Sequence, residues 1–313
     1  MKRSNRLFIA AFIIVLSLII IIQVFAATAP TLGMVNSFAV LANSAITNTG
    51  ATVITGDIGI SPGTASSVTG FFPAGSYSGV LHAADAVSLQ AQSDATTVFN
   101  SLNSQPCDFN LTGQDLGLHD DVTLPALVPG VYCFDSSAQL TGNLVLNAQG
   151  DPNAVWIFRM GSTLTTAPGS SVTYINSSSE LCYIFWQVGS SATIDTTTEF
   201  RGNIFTVASI TLNTGASLVG RAVALGGAVT LDTNAISFPI CVFPPEPTAT
   251  TGPAPTSGPD PNPTIVPDLP ETGSGVAILN EMAPWNLIFI GGVFAAALIF
   301  GVRSLRKTDW PKK

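Results

Sequence analysis

Four short segments in the C-terminal half repeat one pattern, and this repeat constrains the fold more than any other feature of the sequence. Each segment reads threonine, aliphatic, polar, threonine, and the four are STLTT (162–166), ATIDT (192–196), ITLNT (210–214) and VTLDT (229–233). Their first threonines are 30, 18 and 19 residues apart, and a second strand-like segment follows each one. Short-strand repeats of about 20 residues are typical of a β-solenoid, in which each coil covers its neighbour.

The alternation along these segments predicts which side chains face outward. If the aliphatic residues Leu164, Ile194, Leu212 and Leu231 point into the core, their neighbours point to the surface. One predicted outward column consists of Thr163, Thr193, Thr211 and Thr230, and a second of Thr165, Asp195, Asn213 and Asp232. Rungs lie about 4.7 Å apart and alternate residues about 6.6 Å apart, so the columns would form a flat grid.

One segment has the periodicity of a helix. Residues 81–103 contain no glycine or proline, and small apolar residues recur every three or four positions. This stripe consists of Ala84, Val87, Ala91, Ala95, Val98 and Leu102. We therefore predict one long helix with a narrow apolar face packed beside the solenoid.

Charge is scarce and unevenly placed. Charged residues make up 10% of the 313-residue chain, and residues 27–302 hold only three basic residues, Arg159, Arg201 and Arg221, against eighteen acids. The net charge of that span is 3 − 18 = −15. A surface this acidic excludes nucleic-acid binding through phosphates.

Both ends of the chain carry apolar runs flanked by basic residues. Residues 1–26 are predicted to be a signal peptide cleaved after Ala26, with an uncleaved signal anchor as the alternative. Residues 285–302 are predicted to be a transmembrane helix, followed by a basic cytoplasmic tail at 303–313. A proline-rich stretch at 243–268 predicts an extended stalk. Residues 27–242 would then form an extracellular folded domain, held at the membrane or cell wall.

The pentapeptide LPETG stands between the stalk and the apolar run. Its residues are Leu269, Pro270, Glu271, Thr272 and Gly273. Together with the apolar span and basic tail, it resembles the cell-wall sorting signal of Gram-positive surface proteins. That resemblance implies that a sortase cleaves after Thr272 and joins the chain to peptidoglycan. Without a sortase, the segment would be a plain membrane anchor.

The four cysteines are even in number and lie in the predicted extracellular part, which favours disulfides. Three pairings are possible, and we expect Cys107–Cys133 and Cys182–Cys241. The sequence has only two histidines, and no cysteine pair has zinc-like spacing. We expect no metal site and no cofactor.

Catalysis has little support in the sequence. Asp120 and Asp121 are adjacent and would face opposite ways in a strand, so a solvated turn is expected. An alternative function is a surface adhesin or wall-structure protein that binds carbohydrate or another cell. It would need aromatic side chains on the surface, and Trp156, Phe185 and Trp186 are the candidates if they face outward.

Long stretches of the chain resemble a known family of microbial ice-binding proteins that share one domain, often labelled domain of unknown function 3494. They include NSFAVLANSAITNTGATVITGDIGISPGTASSVTGF (36–71), VPGVYCFDSSAQLTGNLVLNAQGDPNAVWIFRMGSTLTT and GGAVTLDTNAIS. The resemblance covers about residues 32–242. It implies a right-handed β-solenoid of triangular cross-section with one helix alongside, and an ice-binding site on one flat face rich in Thr, Ser and Ala.

Some family members carry a Thr-Ala/Gly-x-Thr/Asn motif, which TGAT (49–52) fits and TGAS (214–217) fits only with serine last. Motif and columns together give nine candidate ice-binding residues: Thr163, Thr165, Thr193, Thr211, Asn213, Thr230, Thr49, Thr52 and Ser217. The expected function is ice binding by a monomeric head that is displayed from the cell surface, and the expected partner is the ice crystal.

Overall fold

A computed structural model describes residues 27–239. The predicted signal peptide, the stalk, LPETG, the apolar run at 285–302, the basic tail and Cys241 lie outside the described residues. Within 27–239, no helix is both long and apolar enough to span a bilayer.

In the described part of the chain, twenty-three strands form three sheets, and every pair within them is parallel. In spatial order, the helix sheet consists of β7 (Leu81–Ala83), β4 (Asp57–Ile60), β1 (Phe38–Ala42), β21 (Ala222–Ala224), β18 (Asn203–Thr206), β15 (Tyr183–Val188), β12 (Val155–Met160), β9 (Gly130–Phe134) and β8 (Phe109–Asn110). The threonine sheet consists of β10 (Ala138–Leu140), β13 (Leu164–Thr166), β16 (Ala192–Ile194), β19 (Ile210–Leu212), β22 (Val229–Asp232), β2 (Ile46–Thr49) and β5 (Val68–Thr69). The third sheet consists of β11 (Asn143–Asn147), β14 (Ser171–Ile175), β17 (Glu199–Arg201), β20 (Ser217–Val219), β23 (Ala235–Ser237), β3 (Val53–Ile54) and β6 (Ser76–Tyr77).

Each coil passes through the helix sheet, the threonine sheet and the third sheet in that order, so the coil has three sides. This arrangement confirms a mainly β fold of stacked parallel coils. The stacking does not follow chain order: β1 lies between β4 and β21, and β2 lies between β5 and β22. The N-terminal coils therefore extend the stack beyond the last C-terminal coil.

The one α-helix within residues 27–239, α1 (Ala86–Ser104), links the two parts of the stack. It follows β7 at one end of the helix sheet and leads to β8 at the other end. At 1.5 Å per residue its 19 residues span about 28 Å. Short 3-10 helices occur at Gly33–Ser37, Ala65–Ser67 and Leu116–Leu118.

The predicted helix start at residue 81 is wrong. Leu81–Ala83 pairs with β4 as a strand, and Ala84 adopts a positive φ of 52°. Asp85 then caps the helix: its carboxylate accepts the backbone N–H of Ser88, whose hydroxyl lies 3.2 Å from the Asp85 nitrogen in a capping box. Residues 81–83 thus form backbone hydrogen bonds with the edge of β4, a pairing that the helical periodicity did not predict.

Two apolar cores hold the domain together. The first fills the interior of the coils and contains a continuous stack of rings from Tyr132 through Phe158 and Trp186 to Phe200, with successive centroids 5.5, 4.1 and 4.8 Å apart. The second lies between α1 and the helix sheet, where α1 contributes Ala91, Ala95, Val98 and Leu102. Val87 is half-buried against the same core, so the predicted stripe is confirmed from Val87 onward, whereas Ala84 precedes the helix.

Disulfides add covalent links, as the even number of cysteines predicts. Cys107 and Cys133 are bonded with a Cα–Cα distance of 5.8 Å, which confirms this pairing. Cys182 is also disulfide-bonded, and its predicted partner, Cys241, lies outside the described residues.

Candidate functional site

The outward surface of the threonine sheet carries one uninterrupted column of threonines. Strand pairing places six threonines in direct register on consecutive rungs, with Gln139 on the seventh rung at the β10 end. The column, in spatial order, is Gln139, Thr165, Thr193, Thr211, Thr230, Thr47 and Thr69. We call it the threonine column. It is regular because at least one flanking apolar residue on each coil packs into the core and fixes which side chains face out.

The predicted register of the first repeat is wrong by two residues. Thr165, not Thr163, pairs with Thr193, so Thr165 belongs to the threonine column and not to the second one. The reason lies in the core: Leu164 and Thr166 both point inward, and the Thr166 hydroxyl lies 3.2 Å from that of buried Thr198. A threonine thus occupies an inward position that an aliphatic residue fills on later coils.

Thr163 precedes β13, outside the threonine column. Its hydroxyl donates to the Ser137 hydroxyl at 2.8 Å. It therefore lies near the edge where the helix sheet passes into the threonine sheet.

Two members of the column come from the N-terminal coils and were not predicted. Thr47 pairs with Thr230, and the two hydroxyl oxygens are 3.4 Å apart. Thr69 continues the column on the next rung. In β2 the inward neighbour is Asn48, which is 6% exposed. Because a polar residue occupies this inward position, the segment ITNT lacks the aliphatic centre that identified the other repeats.

The second outward column holds two aspartates whose carboxylates are engaged within the protein. Asn213 donates its amide to Asp195 at 2.9 Å, and this bond lowers the pKa of Asp195, with a further contribution from the backbone N–H of Thr196. Asp232 accepts hydroxyl hydrogen bonds from Thr214 at 2.5 Å and from Thr233 at 2.9 Å. These acids therefore organise the border of the threonine column.

The remaining candidate residues fall in three different places. Thr49 is exposed and pairs with Asp232, so it extends the second column. Thr52 is completely buried, and its hydroxyl accepts the backbone N–H of Asn234, which rules out direct contact with a ligand. Ser217 lies on the third sheet, where it pairs with Glu199 and Ala235. The TGAT and TGAS segments thus mark corners between sheets.

The outward surface of the third sheet differs in charge. Its strands carry Glu199 and Arg201, and Arg201 pairs with Glu180 at 3.1 Å and lies over the ring of Tyr174. On the threonine sheet, acids lie in the second column and at Asp115, which bridges Gln139 at the column's end, and the threonine column itself carries no charged residue. The threonine sheet is therefore the surface that presents hydroxyls and methyls on a regular spacing.

Other polar clusters serve structure. Asp120 and Asp121 lie in a turn, where Asp120 accepts the backbone N–H groups of Val122 and Thr123 and its pKa is lowered mainly by the second of these bonds. Arg159 lines a groove of about 360 Å³ beside α1 and donates to the carbonyl of Gln105. Burial lowers its pKa. No cluster of three metal-ligating side chains exists within residues 27–239.

Comparison with known proteins gives a consistent result. A family model described as Ice-binding-like matches residues 40–237. An ice-binding protein from Nostoc sp. (strain HG1) is 49% identical over 213 residues, which are 68% of this chain and 75% of that protein. Ice-binding protein 1 from Shewanella frigidimarina (strain NCIMB 400) is 34% identical over 235 residues, 67% of this chain and 26% of that protein.

Solved structures that are similar to this chain are also ice-binding proteins. The crystal structure of an ice-binding protein from an Antarctic biological consortium superposes with a TM-score of 0.64 at 41% identity, covering 70% of this chain and 95% of that one. The ice-binding protein of the Antarctic ascomycete Antarctomyces psychrotrophicus gives a TM-score of 0.61 at 39% identity, covering 67% of this chain and 98% of that one. With a family model that spans most of the described residues, the chain belongs to the Ice-binding-like family.

Proposed function

We propose that this protein binds ice through the outward surface of the threonine sheet. The observation that carries the proposal is the threonine column: six threonines in register on consecutive rungs of a rigid stack, in a chain whose named relatives are ice-binding proteins and not enzymes. The contact residues are Thr165, Thr193, Thr211, Thr230, Thr47 and Thr69, with Asn213 and Thr49 at the border.

Regular spacing is what makes weak groups effective against ice. Liquid water already satisfies an exposed hydroxyl, so adsorption gains free energy only when many groups meet the lattice together. The coils hold the column rigid before binding, and the β-branched threonine side chain has few rotamers to lose. The methyl groups would order adjacent water while the hydroxyls hydrogen-bond to it, forming a layer that joins the crystal. Residues 27–239 contain no lysine, whose long mobile side chain would disturb that layer.

We further propose that the ice-binding domain is a monomeric head held outside the cell. The support is in the sequence: a signal-peptide-like start, the proline-rich stretch at 243–268, LPETG and the apolar run at 285–302. Sortase and peptidoglycan would be the partners if Thr272 is cleaved, and the membrane would be the partner otherwise. Right-handed winding of the coils is expected from the family. A tethered head attaches the cell to ice or controls ice at the cell surface, because it cannot spread through the surrounding liquid.

The carbohydrate adhesin is the weaker alternative. It needed outward aromatic side chains, but Trp156 and Trp186 are fully buried and Phe185 is 1% exposed. These three rings therefore provide no platform for a sugar.

The function is tested with purified residues 27–242, which include Cys241, the predicted partner of Cys182. The match covers 95% and 98% of the two solved ice-binding chains, so those chains consist almost entirely of this domain. We expect ice shaping, thermal hysteresis and inhibition of recrystallisation at micromolar protein. The control is the same protein after reduction and thermal unfolding, which should show none of these effects. A folded head with no effect on ice would refute the proposal.

A further inference from the structure

The described chain ends on one edge of the three-sided coil. After β23 in the third sheet, Phe238 packs its ring 4.2 Å from the guanidinium of Arg221 and against Gly56, where an added Cβ would lie 2.5 Å from the ring. Arg221 immediately precedes β21, and Gly56 lies between β3 and β4. Both mark the passage from the third sheet to the helix sheet, so the chain leaves the head at that edge.

The start of the domain is held on the helix side. The backbone N–H of Thr28 donates to the side chain of Gln105 at 2.8 Å, and the amide of Gln105 returns a bond to the Thr28 carbonyl at 2.7 Å. The backbone N–H of Met34 donates to Asp94 of α1 at 2.7 Å. Ala27 and Ala29 pack against the core between α1 and the helix sheet. The N-terminal segment thus runs over the helix sheet.

Arg221 connects the two termini. Its Nη2 donates to the carbonyl of Asn36 at 2.6 Å and to the side chain of Asn36 at 3.0 Å, while its Nη1 donates to Asn203 at 2.9 Å. Burial lowers the pKa of Arg221 to about 10, so the guanidinium remains charged at neutral pH. The exit edge is therefore a fixed, hydrogen-bonded part of the head.

In a three-sided coil, the edge between the third sheet and the helix sheet faces away from the threonine sheet. From this placement we infer that the head is built to bind ice while attached to a surface: a tether at either end of residues 27–239 leaves the threonine column pointing outward. The inference rests on the proposed function and holds for both predicted attachments. A stalk beyond Pro239 would leave from the exit edge, and an uncleaved signal anchor would join at the helix side.

The test compares beads carrying residues 27–242, which include Cys241, in different orientations. One set is linked through biotin on a C-terminal tag after Val242, and another through biotin on a tag before Ala27. A third set is linked through biotin on Thr211→Cys, in the threonine column, and a matched fourth through Ser171→Cys on the third sheet. Residues 27–242 contain all four cysteines, including Cys241, the predicted partner of Cys182, so the introduced thiol is the reactive one. The fraction of beads retained on an ice surface is counted at equal protein loading.

We expect the terminal and Ser171-linked beads to be retained at least tenfold more than the Thr211-linked beads. Equal retention of all four sets would overturn the inference. So would loss of retention for the terminally linked beads while the free head still produces thermal hysteresis. If the free head itself has no effect on ice, the proposed function fails, and this separate assay identifies that case.

Discussion

Single residues at the corners adopt backbone conformations that threonine disfavours. Where the threonine sheet passes into the third sheet, Thr197 and Thr233 have φ of +55°. Gly215 and Gly50 hold the equivalent turns in other coils, with φ of +73° and +74°. The left-handed region costs a β-branched residue on the order of 1 kcal/mol, whereas glycine enters it freely. The corners at Thr197 and Thr233 therefore lower the stability of the stack.

We predict that Thr197→Gly raises the free energy of unfolding by about 0.5–1 kcal/mol, since relief of the left-handed strain exceeds the added entropy of the unfolded chain. Gly215→Ala is the opposite change at the same kind of corner, where an added Cβ meets nothing closer than 3.7 Å. It should lower stability by about 1 kcal/mol through φ alone. Denaturant titration measures both, and a destabilised Thr197→Gly would contradict the strain argument.

Residue roles could be predicted from sequence only where inward and outward types differ. Thr193, Thr211 and Thr230 were placed together because Ile194, Leu212 and Leu231 identify the inward positions. In STLTT at 162–166 the residues on both sides of Leu164 are threonines, so composition cannot decide between Thr163 and Thr165. The buried contact between Thr166 and Thr198 decides it. Similarly, the inward residue next to Thr47 is the polar Asn48, so the sequence pattern does not mark Thr47 as outward. Thr52 is buried where its hydroxyl accepts the backbone N–H of Asn234, a long-range contact that the motif does not predict.

At the scale of elements, the N-terminus of α1 depends on one carboxylate. Asp85 accepts the backbone N–H of Ser88 at 2.7 Å and lies 2.8 Å from the Nδ1 of His82. The first of these bonds, then the second, lowers the pKa of Asp85 from 3.8 to about 2. Because the folded pKa lies below the unfolded one, this stabilisation is present above about pH 4 and is lost as the pH falls through 2.

We predict that Asp85→Ala lowers the free energy of unfolding by about 1 kcal/mol near neutral pH. The difference from the natural protein should stay constant from pH 6 to 4 and shrink as the pH approaches 2. Asp85→Asn keeps a capping oxygen and should cost much less at neutral pH. Chemical denaturation across this pH range is the measurement, and a difference that does not change between pH 6 and 2 would contradict the cap assignment.

The threonine column ends in β10 at Gln139, whose amide donates to the Thr141 hydroxyl at 3.1 Å. Gln139→Thr would add a seventh threonine in register with Thr165, and we predict a higher thermal hysteresis at equal concentration. Glu199→Thr adds a threonine to the third sheet and serves as the control, with no expected gain. Equal changes in the two variants would mean that the register of the added threonine does not matter.

At the scale of the whole molecule, the site is complete only because distant parts of the chain stack together. Thr47 and Thr69 come from coils formed before α1, and Thr230 comes from the last coil. The repeat, the helix and the Cys107–Cys133 bond could be predicted from local patterns. The insertion of β1 between β4 and β21 could not, because it depends on edge-to-edge pairing that leaves no periodic trace in residues 38–60.

The central claim is that ice meets the threonine column, and the most direct measurement is thermal hysteresis of residues 27–242 with a bulky ring in that column. Thr193→Tyr and Thr211→Tyr are compared with Thr55→Tyr, an exposed threonine following β3 of the third sheet. All three variants should keep the melting temperature of the natural head within a few degrees. We predict that each column variant loses at least 80% of the hysteresis and that Thr55→Tyr retains nearly all of it. Unchanged hysteresis in the column variants, or loss confined to Thr55→Tyr, would place the ice-binding surface elsewhere.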